Sequence, residues 1–245
     1  MNITAEMKMA DVIHYNYILL PVITRFGIEL GFGDKTVKEV CHLYHVNLEF
    51  FLEITNSFVD DDYVPQKELE SFSLNLIVDY LKKTHNYYLE EKIPELEKMI
   101  LKMVHDPMDQ EEKNSLIKNF FTQYKIELTT HIEKEEDKIQ PYVLKLEEAW
   151  RKKTLSDELY TQIKKYSIDD FATEHDNVEE KLYDLKNIII KYLPPCKDRS
   201  LCNKILMELF RLEKDLNAHA ALEDKVLIPK VSEMERILIA QYEEK

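Results

Sequence analysis

Through the C-terminal two thirds of the chain, apolar positions recur every three to four residues in four long stretches, about 72–104, 111–151, 156 or 167–192, and 199–241. That spacing lines up one buried face on each of four helices. Helix starts are expected at Ser73, Asp109 and Ser167, and Pro194-Pro195 stops the third stretch, because proline lacks the N–H that a continuing helix needs. Four long helices with short connections bury four apolar stripes most simply as an up-down bundle. Ahead of them, residues 9–26 read as one helix and Gly27 to Asp34 as a turn. Thr36-x-x-Glu39 forms a capping box that opens a second helix, and a third follows at about Asn47 to Phe58. The acidic run from Asp60 to Pro65 breaks all periodicity. The expected fold is therefore all-α, with a small helical N-terminal domain over 1–60, a linker over 61–71 and a four-helix bundle over 72–245.

Each inward stripe of the bundle contains a histidine. The first runs Leu74, Ile77, Leu81, His85, Tyr88, and the second Ile117, Tyr124, Leu128, His131, Glu135, Ile139, Tyr142. The third runs Ile168, Phe171, Ala172, His175, Val178, Leu182, Leu185, and the fourth Ile205, Leu209, Leu212, Leu216, His219, Glu223, Val226. Histidine and glutamate four apart stack one turn above one another and can chelate together. A glutamate buried without a positive partner would cost several kcal/mol, so a cation between the helices is expected. The two blocks also match beyond these residues, as His131-x3-Glu135-Glu136-x4-Pro141 and His219-x3-Glu223-Asp224-x4-Pro229. Each follows a lone histidine with its own matching flank, Asp79-x5-His85 and Asp169-x5-His175. Such self-similarity marks a duplicated two-helix unit, and two units make a two-metal site. Four imidazoles and two carboxylates are too nitrogen-rich for magnesium or calcium and suit iron best, while zinc and manganese stay open on spacing alone.

Charge narrows the function classes further. With 33 basic and 47 acidic residues the formal charge is −14, which repels nucleic acid and anionic lipid. The segment from Asn47 to Ile54 would be the reading helix of a helix-turn-helix, but it carries two acids and no Lys or Arg, so that reading fails. No apolar run approaches the roughly 20 residues of a membrane span, and the start lacks the pattern of a signal peptide. A cytoplasmic protein with reduced Cys41, Cys196 and Cys202 is the expectation. All three glycines fall within Gly27 to Gly33, so positive φ is expected there and nowhere else.

Four helices each giving a histidine, His-x3-Glu on the second and fourth, and the run HAALEDKVLIP at 219–229 resemble the hemerythrin-like domain of the Repair of Iron Centres family, the YtfE/ScdA type. The resemblance covers about 72–241, and the N-terminal module resembles that family's small leading domain. By matching position it implies two non-haem irons held by His85, His131, His175 and His219, bridged by Glu135 and Glu223 and by a solvent oxo or hydroxo group. The family usually carries a Cys-Cys pair where this chain has Gly31-Phe32. The function implied is nitrosative and oxidative stress response, with NO or O₂ as small ligand and apo iron–sulfur proteins as partners. Both an NO-reducing and an iron-donating activity fit that role, and a homodimer is compatible with it.

Glu127 and Asp215, each four residues before a block histidine, and Glu174, beside His175, are the candidates for carboxylates that orient the ligands. Tyr87, Tyr88 and Tyr124 flank the expected pocket. A rival reading is a hemerythrin-like O₂ or NO carrier or sensor without turnover. The fourth residue after His175 is Glu179 rather than a fifth histidine, which weighs against simple O₂ storage. A metal-free helical scaffold is the third reading.

Overall fold

The computed structural model describes residues 2–60, 63, 71–104, 111–173, 178–192 and 196–244. Nearly all of the 61–71 linker therefore lies outside the described residues, as do the Asp109 helix start, Glu174, His175 and Pro194-Pro195. Packing divides the chain into two compact units, Met1–Thr84 and His85–Lys245.

In the first unit, α1 (Met9–Tyr15) and α2 (Leu20–Arg25) stand where one helix was expected. Asn16 leaves the helix at φ −146°, and its side chain accepts from the Ile18 N–H to cap a short 3₁₀ turn. Pro21 then sits in the first turn of α2, where its missing N–H costs nothing. The Thr36–Glu39 capping box forms in full at the start of α3 (Val37–Leu43). Asn47 caps α4 (Leu48–Val59) by accepting from the Phe50 N–H at 3.0 Å. Phe26, Phe50, Phe51, Phe72 and Tyr80 pack edge to face or tilted, with ring centroids between 5.0 and 6.0 Å. Tyr80 belongs to α5 (Leu74–Asn86), so the boundary between units falls inside that helix and not ahead of it.

The second unit holds the bundle. α6 (Ile93–Val104) packs on α7 (Glu111–Lys134) and on α12 (Arg199–Leu222), and α11 (Val178–Asn187) closes the ring against α7 and α12. Leu96, Ile117, Phe121, Leu128, Leu182, Leu185, Ile205, Leu209 and Leu212 fill the space between them, each at most 2% exposed. At the other end, α8 (Gln140–Lys152) and the short α10 (Ile168–Thr173) pack on α13 (Ile228–Glu243), with α9 (Asp157–Lys165) leading into α10. Glu235 of α13 ties this end together, accepting from the Tyr142 hydroxyl and from the Ile168 N–H.

The long helices are not uniform. Each changes to a π turn over Tyr87–Lys92, Glu135–Ile139, Ile188–Tyr192 and Glu223–Leu227. In every case a proline stands two residues after the turn ends, at 94, 141, 194 and 229. The physical link is the proline ring, which clashes with the carbonyl four residues earlier and removes one hydrogen bond. A wider turn relieves both: the residues just before Pro94, Pro141 and Pro229 donate five residues back, Ile93 to Tyr88, Gln140 to Glu135 and Ile228 to Glu223. Among the described residues, the helices thus pass through Pro94, Pro141 and Pro229 without breaking.

Two backbone expectations are overturned. His45 and Lys153 adopt positive φ of 55° and 52° alongside the glycines, Lys153 as the left-handed cap of α8, where its N–H reaches back to Ala149 and Trp150. Cys196 and Cys202 are joined as a disulfide rather than reduced. Asp198, as N-cap of α12, turns the chain so that residue 196 meets the first turn of that helix. Cys41 stays a buried thiol, pushed up to about 11 by desolvation.

Candidate metal centre

Four of the predicted residues converge. His85 from α5, Glu135 at the head of one π turn, His219 from α12 and Glu223 at the head of the matching turn bring one donor atom each within 4.8 Å of one another. Their exposures are 0%, 2%, 7% and 4%. His85 Nε2 lies 3.2 Å from Glu135 Oε2 and 3.2 Å from His219 Nε2. His219 Nε2 lies 3.4 Å from Glu223 Oε1, and His131 Nε2 lies 3.0 Å from Glu135 Oε1. His131 thus reaches the cluster through Glu135 without belonging to the tight group of four. His175 lies outside the described residues.

Two ring nitrogens facing each other at 3.2 Å require a positive charge or a shared proton between them, since two lone pairs repel. His85 Nδ1 sits 3.0 Å from Glu136 Oε1 and Nε2 3.2 Å from Glu135 Oε2, and an ionised carboxylate only accepts, so both ring nitrogens face acceptors and a cation or a proton is required between Nε2 and the groups opposite it. His219 is the imidazole placed to hold that proton. Burial works against a charged imidazole there, but Glu223, Glu135 and Asp215 outweigh it and hold His219 up to about 9. His219 Nδ1 is buried and meets no hydrogen-bond partner among the described residues. Buried carboxylates held together by a proton on imidazole form the donor set that a metal cation satisfies better, and it suits a first-row transition metal with mixed N and O ligands. The residues present fit the cation that the sequence calls for.

The three carboxylates named as orienting candidates stand in different settings. Glu127 is taken up by Lys181 and by Gln123, the latter at 3.0 Å, and the lysine contact first of all lowers its pKa. Asp215 is buried and accepts from the Tyr88 hydroxyl at 3.0 Å. The Tyr88 ring stands edge-on to His219, with centroids 5.9 Å apart. Glu174 lies outside the described residues. Glu136, for which no role was expected, also meets a site histidine, at His85 Nδ1, and it belongs to the repeated Glu-acid pair at 135–136 and 223–224. Tyr124 is buried in the core beside Phe121.

Residues 76–231 match the Hemerythrin HHE cation binding domain, a span well over half of the 245-residue chain. The chain belongs to the hemerythrin HHE family. It is also 21% identical over 235 residues to the iron-sulfur cluster repair protein ScdA of Staphylococcus haemolyticus (strain JCSC1435), an alignment that covers 94% of this chain and 100% of that protein. With its small helical leading unit and hemerythrin-like bundle, the chain is a hemerythrin-like protein of the ScdA/YtfE type. Among the described residues no helix is long and apolar enough to cross a membrane.

Proposed function

We propose that this protein is a non-haem di-iron protein of the nitrosative and oxidative stress response, which binds NO or O₂ and supports repair of iron–sulfur clusters in the cytoplasm. The observation that carries the reading is the buried convergence of His85, Glu135, His219 and Glu223 from two matching halves of one bundle. The ScdA relative, aligned end to end, supports the repair role and iron–sulfur proteins as partners. His85, His131, His175 and His219 would hold the irons, with Glu135 and Glu223 reaching both; the place of His175 rests on the sequence repeat.

When bound, iron supplies redox chemistry and open positions for a diatomic ligand. The chain's own part is to hold the donors with little room for water: His85 is fully buried, and the buried Tyr88 ring stands edge-on to His219. His219, held protonated by the carboxylates around it, would have to give up that proton to offer Nε2 to a cation.

Elemental analysis of protein purified without oxygen, with visible spectra before and after NO, tests the reading. About two irons per chain and a spectrum that responds to NO are expected from the ligand count. Two zinc ions, or a folded chain that takes no metal, would overturn the redox role. A carrier or sensor would bind NO stoichiometrically and stop, whereas the proposed activity continues under reductant or restores an apo-cluster protein.

A further inference from the structure

The imidazole of His85 is gripped at both ends by consecutive residues. Glu135 Oε2 lies 3.2 Å from Nε2, and Glu136 Oε1 lies 3.0 Å from Nδ1. Neighbouring residues of an ordinary α-helix point about 100° apart, which carries the second side chain away from a partner that the first one faces. Here both acids open the π turn Glu135–Ile139, and both reach the same ring on α5. The two differ in setting: the Glu135 side chain is 3% exposed and that of Glu136 27%. One faces the buried cluster, and the other stands at its edge.

We propose that Glu136 is a positioning residue for the metal centre: by accepting the Nδ1 proton of His85 it fixes the ring's tautomer and rotation, so that Nε2 alone is offered to the cation. This inference rests on the metal-binding reading above and adds a residue to it. A neutral imidazole has two tautomers and can turn about its χ2 bond. Without a fixed acceptor at Nδ1, His85 can protonate Nε2 against Glu135 instead, and the lone pair is then lost to the metal. The ring is wholly buried in the intact chain, so its Nδ1 meets Glu136 and not solvent. A carboxylate behind the ring also raises the basicity of the donating nitrogen.

The test uses the full-length chain in the Glu136→Gln and Glu136→Ala forms. Long-range proton–nitrogen NMR on the metal-free, ¹⁵N-labelled protein reads the His85 tautomer directly, with the signal assigned through His85→Gln. The wild type and Glu136→Gln, which keeps a carbonyl acceptor, are expected to show the Nδ1–H tautomer, and Glu136→Ala is expected to lose it. Zinc titration against a chromogenic chelator then reads affinity. Loss in Glu136→Ala of about 10-fold to 100-fold, partly recovered in Glu136→Gln, supports the positioning role. An Ala variant with wild-type tautomer and wild-type affinity overturns it. An Ala variant that loses affinity while keeping the tautomer overturns it as well, since the acid then acts only by charge. Should the wild type take no metal, the functional reading fails on its own, and the tautomer still decides the role of Glu136.

Discussion

The two halves of the bundle make a natural comparison. Each carries histidine, glutamate four residues on, a second acid, a π turn and a proline in the same order. The surroundings of the two block histidines are not alike. One turn before His219 stands Asp215, 5% exposed and bonded to Tyr88. At the matching position before His131 stands Glu127, facing Lys181 at the rim. The repeat thus preserves donors and backbone shape while leaving the electrostatic setting free to differ. Equal donors do not make equal surroundings.

Several substitutions probe that difference. Replacing Glu223 or Glu135 with Ala should have the largest effect, abolishing stable metal loading and the part of the melting temperature that metal supplies; elemental analysis with thermal melts, metal present and absent, checks it. Next comes Asp215→Ala, which removes the acceptor of a buried Tyr88 hydroxyl hydrogen bond and should cost about 1–3 kcal/mol in denaturant unfolding. Its counterpart Glu127→Ala should cost under about 1 kcal/mol, as for other rim ion pairs. Near-equal costs for the two would erase the distinction between the halves.

Proton linkage sharpens the same comparison. The metal-free folded state holds His219 up to about 9 against an ordinary 6.5. Its protonation therefore stabilises the fold fully below 6.5, and that gain fades as pH rises through 9. A metal displaces this proton, so apparent affinity should climb about tenfold per pH unit until near 9 and then level off. Chelator-competition titrations across this range would measure the slope, and Asp215→Asn should move the plateau to lower pH. The smallest effect is expected at Lys153, where Gly relieves a left-handed cap and should raise stability by about 0.5–1 kcal/mol.

Much of this was readable beforehand, for reasons that differ by element. The four stripes were plain because burial imposes a 3.6-residue period. Leu74, Ile77, Leu81 and His85 are all at most 1% exposed, as the periodicity required. Ser73 and the Thr36–Glu39 box announced helix starts through hydrogen bonds that are local in sequence. The break at Asn16 was hidden because an Asx cap inside an apolar run leaves the period intact. The Cys196–Cys202 bond depended on a turn made by Asp198, which spacing alone does not fix. Glu136 was in view as part of the repeated block, but an acid next to a buried glutamate should by ordinary helical geometry face elsewhere. The π turn changed that.

Seen as bookkeeping of phase, each π turn is one residue lodged in an otherwise regular helix. Removing a single residue from Glu223–Leu227 would return the segment to plain α geometry and leave the helix after it nearly in phase, because the wide turn already absorbs the extra residue. Val231, Met234 and Leu238, now buried at 0%, 5% and 2%, would keep their face, while Pro229 would meet the carbonyl four residues back that the wider turn spares it. A one-residue deletion here should therefore act through the proline and the glutamate, and not through the packing that follows them. Chains that share this centre should vary in loop length before they vary in the count of residues from glutamate to proline.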